Sequence, residues 1–267
     1  MKRPKHLPDF TNPPLDEVVL GVQFSPISGY SAVEASDVWR LFKKDFPKVV
    51  EQPKLDPQFE TFGGANLQPS FQFQVGPGSV GSRLWFVSEQ ENHLLQFQPD
   101  RFLSNWRKAG NLVPYPRFES ISAAFEKDFR KADGYSRKVH ATALDVNQAE
   151  ISYINIIPVK EFSEATEWFC LIGENRIDFE GMSISFNEVV RDDRGQPFAR
   201  LSHSIQSVFA LDGRQKAYSL SLTFRGRPEG NDVSAAMKFL RAGRKKIVSR
   251  FGEITTTRAH EVWGRKS

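Results

Sequence analysis

The stretch "HEVWGR" at the end of the chain opens with His260-Glu261. On a helix, that pair begins a zinc-protease motif, in which a second histidine one turn later completes the metal face. No histidine follows at that spacing, and His6, His93, His140, His203 and His260 are scattered singly. A metal site is therefore not expected. The glycines of "GPGSVGS" at residues 76–82 suggest a phosphate loop. The lysine and the strand-to-helix setting of such a loop are missing, so the stretch reads as a hairpin connection. Asp192, Asp193 and Arg194 could form a nuclease-like cluster, but they fall where a turn is expected, and turns favour such residues. No serine sits in a nucleophile elbow. Cys170 is the single cysteine, which excludes an intramolecular disulfide. Its neighbours Trp168, Phe169, Leu171 and Ile172 suggest a buried, inert thiol. No catalytic, cofactor-binding or metal-ligating residue is assigned.

The best candidate surface is a basic ridge near the C-terminus. A helix from about residue 233 to 252 carries the apolar stripe Val233, Met237, Leu240, Ile247, Val248 and Phe251. Lys238, Arg241 and Lys245 line one flank, Lys246 and Arg250 the other, and Arg244 falls inside the stripe. Such a ridge could touch phosphate or a partner protein. It also suits a solvated helix end, where cations favour the helix dipole, and Arg244 suits a paired or snorkelling side chain.

These residues must be positioned by a regular framework. "DEVVLGVQFSP" (residues 16–26) and "AEISYINIIPV" (residues 149–159) each begin with a carboxylate, or reach one at the second position, and run through strand-like residues to a proline. After the first comes an amphipathic helix from Ser31, with Glu34 placed for a capping box. Strands follow at residues 70–75, 82–89 and 92–98, then a short helical turn around Trp106. A helix beginning near Pro116 follows, with Phe118, Ile121, Phe125 and Phe129 on one face. After the second strand come a shorter helix at residues 162–172, strands at 181–191, 197–209 and 216–225, and the basic helix, capped by Asn231 or Asp232. The expected fold is α+β: a tandem duplication of a β-α-β-β-β-α unit, with mostly antiparallel sheet and helices packed on one face. That plan is similar to the TATA-box-binding or helix-grip architecture. Residues 1–16 form a basic, Pro-rich arm, residues 17–138 the first unit with a long loop at 47–69, and residues 139–267 the second unit with its tail. Trp263 is expected to fold back and be buried.

Alternation in the strands assigns the face away from the helices. Gln72, Gln74, Gln96, Gln98, Ser219 and Ser221 share it with Ser183, Ser185, Asn187, Ser202, Ser204, Gln206 and Thr223. This face is expected to be polar but nearly uncharged. It would then be a poor nucleic-acid surface, which needs cations for phosphate or aromatic platforms for bases. Neutral amides and hydroxyls suit a docked protein, a polar ligand or solvent.

The chain has 267 residues, including 23 Phe, and a formal net charge of +4. That is enough for one large domain or two small ones with an aromatic core, and the charge permits nucleic acid without requiring it. The N-terminal "MKRPKHLPDFTNPP" lacks the apolar run of a signal peptide, and no stretch is long and apolar enough for a membrane span. A cytoplasmic location follows as an expectation.

"NPPLDEVVLGVQFSP" (residues 12–26), "RLWFVSEQENHLLQFQPDRFLSNWRK" (83–108), "YPRFE" (115–119), "YIN" (153–155) and "HEVWGR" (260–265) together resemble an uncharacterised, sporadically distributed prokaryotic protein family of about this length. The resemblance spans nearly the whole chain. It implies a prokaryotic cytoplasmic protein and supplies no activity or active site. A patchy distribution would suit an accessory or phage-defence role. The leading expectation is a non-enzymatic binding or regulatory module with a protein partner or a second copy of itself. The alternative is a nucleic-acid-binding protein that uses the basic helix.

Overall fold

The structure, a computed structural model, describes residues 7–63, 82–108, 114–173, 179–210 and 213–266. Nine strands form one antiparallel sheet. In chain order, β1 (Asp9–Phe10) belongs to a separate two-stranded sheet. The large sheet takes β2 (Leu15–Phe24), β3 (Lys48–Pro53), β4 (Ser82–Val87), β5 (His93–Gln98), β6 (Arg101–Arg107), β7 (Val146–Pro158), β8 (Ser183–Arg191), β9 (Pro197–Phe209) and β10 (Lys216–Gly226). Across it the order is β3-β4-β5-β6-β2-β7-β10-β9-β8. At its centre β2 and β7 run antiparallel, with Val18 opposite Tyr153 and Leu20 opposite Ile151. The terminal strand β11 (Arg265–Lys266) pairs with β1.

Five helices are described: α1 (Ala35–Arg40), α2 (Arg117–His140), α3 (Ala165–Trp168), α4 (Val233–Ile254) and α5 (Thr257–Val262). Each contributes buried apolar residues to one core on a single face of the sheet. Val18, Leu20 and Val22 of β2, Ile151 and Ile157 of β7 and Leu220 and Leu222 of β10 point into it, as period-2 alternation dictates. Phenylalanine fills much of this core: Phe102, Phe125 and Phe129 stand with ring centroids 5.9 Å apart. Gly243 lets α4 settle onto β7 and β10. A methyl group there would stand 2.5 Å from Phe224 Cδ1 and 2.6 Å from Ile151 Cγ2.

Several sequence expectations change. Residues around Trp106 form β6, not a helical turn. The alternation of Phe102, Ser104 and Trp106 with Arg101, Leu103, Asn105 and Arg107 satisfies a sheet with a core on one side. The loop 47–69 contains β3. The two short helices start as 3-10 turns at Ala32–Glu34 and Phe162–Glu164, and end sooner than expected. α2 is longer, ending at His140. Cys170 is exposed rather than buried. After α3 the backbone of Phe169 becomes extended and its ring is fully buried, which turns the next side chain outward. Trp263 is buried at 5% exposure, as expected. The strand expected at residues 70–75, the loop at 76–82 apart from its last residue, and the "MKRPK" terminus lie outside the described residues.

Candidate functional site: a strapped cleft on the helix-free face

The face away from the helices is charged, which corrects the neutral surface expected from the sequence. Arg83 and Trp85 on β4, Arg101 and Arg107 on β6, Glu17 on β2, Glu150 on β7, Arg200 on β9 and Arg225 on β10 all point away from the core by strand alternation. Most come from strands whose charged positions were not included in the neutral face, and two come from β6, which had not been read as a strand.

An extended strap, residues 54–62, crosses one end of this face. Its backbone is held by glutamines from three strands. Leu55 N donates to Gln98 Oε1 at 3.1 Å, Gln58 N to Gln23 Oε1 at 2.8 Å and Glu60 N to Gln148 Oε1 at 3.5 Å. Gln98 Nε2 returns a bond to Leu55 O at 2.9 Å. Side-chain amides suit this task because each offers an acceptor and two donors to backbone groups. Leu55 packs with Val19 and Leu103. The far end is fixed by Arg200, whose Nε donates to Glu60 at 2.6 Å and whose Nη2 donates to Thr61 O at 2.7 Å.

Beside the strap opens a cleft of about 240 Å³. Gln96 organises one wall. Its Oε1 accepts from Arg83 Nη1 at 2.8 Å and Trp85 Nε1 at 3.2 Å, while its Nε2 donates to Asn105 at 2.8 Å. Asn105 then donates to Glu17 at 2.7 Å, and Arg107 Nε donates to the same oxygen at 2.9 Å. The Arg83 and Arg107 guanidiniums lie 5.5 and 5.3 Å from the Trp85 ring, within cation–π range. In the centre, Arg225 Nε donates to Glu150 at 2.8 Å, and Ser152 and Thr223 share a bond of 2.8 Å.

Burial and the charge of Arg101 bring the Arg83 pKa down to about 10, so it remains a cation at neutral pH. Burial also lowers Arg101, against the pull of Glu150. Burial pushes Glu150 up, but Arg225 and Arg101 outweigh it and hold the carboxylate below its ordinary value. The cleft lining has four arginines (Arg83, Arg101, Arg107, Arg225) against Glu17, Asp56 and Glu150, a balance of 4 − 3 = +1.

Of the residues expected from sequence, Gln96 organises the cleft wall and Gln98 holds the strap. Ser219 and Ser221 share the face on β10 but do not line the cleft. Gln72 and Gln74 lie outside the described residues. The cations expected on α4 have different surroundings. Lys238 pairs with Glu229 at 2.9 Å and Arg241 with Glu126 at 3.2 Å, Lys245 is exposed, and Arg244 is buried at 6% exposure on the helix's inner side. Asp192 caps its own turn, accepting from Arg194 N at 2.9 Å and Gln196 N at 2.8 Å. Among the described residues no cluster could hold a metal ion, and no helix is long and apolar enough to cross a membrane. A period-2 reading of Arg101, Leu103, Asn105 and Arg107 would have found four residues of the cleft lining.

Compared with protein-family models, curated proteins and solved structures, the chain matches none of them.

Proposed function

We propose that this protein is a non-enzymatic binding module that docks a partner protein in the strapped cleft, through an acidic side chain of the partner. The observation that carries this reading is the Arg83–Trp85–Arg107 grouping on the cleft wall. Tryptophan and arginine are the side chains that most often dominate protein interfaces, and a guanidinium grips a carboxylate with paired bonds. A net-positive cleft favours an anion, while its carboxylates and amides demand a specific hydrogen-bonding shape. A sequence-independent phosphate track would carry a larger cationic excess.

A duplicated, helix-grip-like architecture fits this reading. It is supported by the mirrored order β4-β5-β6-β2 and β8-β9-β10-β7 about the central pair. It is also supported by matching turns after β2 and β7, where Glu34 Oε1 accepts from Ser31 N at 3.0 Å and Glu164 Oε1 accepts from Glu161 N at 3.2 Å. The family resemblance supports a place in a prokaryotic accessory or defence system.

The arginines on the sheet face give the nucleic-acid reading one supporting observation. Against it, Lys238 and Arg241 of α4 are already paired with Glu229 and Glu126. The test is capture from a native-host extract with wild-type protein and with Trp85→Ala, each with and without nuclease. A protein captured by wild type, lost with Trp85→Ala and indifferent to nuclease supports the docking reading. Capture that nuclease abolishes transfers the function to nucleic acid, and equal capture by both proteins overturns the cleft.

A further inference from the structure

A second cavity, of about 70 Å³, lies on the opposite face of the sheet, between the start of α2, the second half of α4 and the N-terminal segment before β2. It gathers parts of three stretches that stood out in the sequence: Pro13 and Leu15, Tyr115 to Glu119 apart from Pro116, and Tyr153 with Asn155. Its walls are apolar, including Phe10, Ile247, Val248 and Phe251. Its polar centre is Arg244, the cation inside the apolar stripe of α4.

Arg244 is buried at 6% exposure, and its Nε has no hydrogen-bond partner. The carboxylate facing it, Glu119, stands 3.6 Å from Nη2, outside direct hydrogen-bonding distance. Arg117, also on the lining, is paired with Asp9, which accepts from its Nη1 at 2.9 Å. Beside Arg244 the Tyr115 and Tyr153 hydroxyls share one hydrogen bond of 3.3 Å, and the Tyr153 oxygen also bonds to the Arg244 side chain. One bond uses one proton of the pair, so the other remains to be donated. Burial, with Tyr153 beside it, holds Tyr115 well above the ordinary value, keeping it a neutral donor. A buried donor left unmade is costly, and an apolar pocket with a few convergent donors is the usual form of a small-molecule site.

We propose that this cavity binds a small organic monocarboxylate, its carboxylate on the Arg244 Nε and the tyrosine pair, its short alkyl body against Phe251 and Val248. The volume is about half that of a cavity that holds benzene, so the body is a few carbons long.

The test is calorimetric titration of the full chain with straight-chain carboxylates from acetate to hexanoate, and with alkylamines of equal length. Carboxylate affinity is expected to rise about fourfold per added methylene, equivalent to about 0.8 kcal/mol, and to stop rising once the cavity is filled. Tyr115→Phe, which removes only a hydroxyl, is expected to weaken binding about five- to tenfold with melting little changed. Arg244→Gln is expected to abolish binding, with circular dichroism reporting whether it folds. Absence of saturable binding by every carboxylate, equal binding by the amines, or unchanged affinity in Tyr115→Phe overturns the proposal.

Discussion

Arg200 and Glu60 lie 140 residues apart in the chain, and their side chains meet at 2.6 Å. Their contact ties the strap, which belongs to the first half of the sequence, to a strand of the second half. Arg225 stands 3.6 Å from the other oxygen of Glu60, so one carboxylate serves two strands. One wall of the cleft therefore depends on both halves being folded.

Glu60→Ala should loosen that wall. The pair is mostly but not fully buried, with 14% and 12% side-chain exposure. Leaving Arg200 Nε without its carboxylate acceptor should cost about 1–3 kcal/mol, less whatever water recovers at the exposed edge. Urea denaturation measures the loss, and limited proteolysis should show earlier cutting within residues 54–62. An unchanged midpoint with unchanged cutting would mean that the glutamines hold the strap without the ion pair.

Gln96→Leu is nearly isosteric and should be worse than its size suggests. It removes the acceptor of Arg83 Nη1 and Trp85 Nε1 and the donor to Asn105 Oδ1 at once, each in a buried or half-buried position. Unsatisfied buried polar groups cost about 1–3 kcal/mol apiece. Asn105→Leu alone should cost less, and the double variant should cost less than the sum of the two singles, because the pair bonds to itself. Additive losses in chemical denaturation would show that the wall is not a coupled network.

The α+β class, most strand positions and the Asp232 cap were legible because each rests on local chemistry. Asp232 accepts from Ala235 N at 2.8 Å, as a helix-capping aspartate must. What was not legible rests on contacts distant in sequence. Arg101 and Arg107 alternate with apolar residues, but "RFLSNWR" also suits a helical turn, and only the pairing of β6 with β2 and β5 decides. The cleft shares this cause. Gln98, Gln23 and Gln148 become one ladder only when three strands and the strap meet. Arg244 was visible as an oddity within an apolar stripe, yet nothing in its own helix specified Glu119, Tyr115 or Tyr153 as its surroundings.

Stability should fall in mild acid before the carboxylates titrate. His203 is fully buried and stacked 4.2 Å from Phe186, with Nε2 2.7 Å from Glu188 and Nδ1 without a partner. Burial lowers its pKa more than Glu188 raises it, and Arg250 and Lys246 add to the lowering. Burial also lowers His93 and His260. With the folded pKa below the unfolded value of about 6.5, the unfolded chain binds more protons between the two. The urea midpoint should therefore hold above that pH and drop as pH falls through the folded values. His203→Gln should flatten part of the drop. A midpoint that rose with acidification would reverse the sign and refute this account.

The tail is the last element whose role can be separated by experiment. β11 pairs with β1, Gly264 O accepts from Thr11 N at 3.0 Å and Trp263 O from Asn12 N at 3.0 Å. Trp263 stands 5.2 Å from Phe251, 6.0 Å from Phe10 and 6.0 Å from Trp168, by ring centroids. The tryptophan thus closes a cluster that joins α4, α3 and both chain ends, and little of it is left for an outside partner. Trp263→Ala should cost about 3–5 kcal/mol, the usual loss for emptying a large aromatic site. It should also speed hydrogen exchange at Thr11 and Asn12, whose amides the tail caps. Trp263→Phe should recover part of the stability. Partner capture, normalised to folded protein, should not change in either variant, because the cleft lies on the other face of the sheet. Unchanged melting with lost capture would instead make the tail an interface anchor.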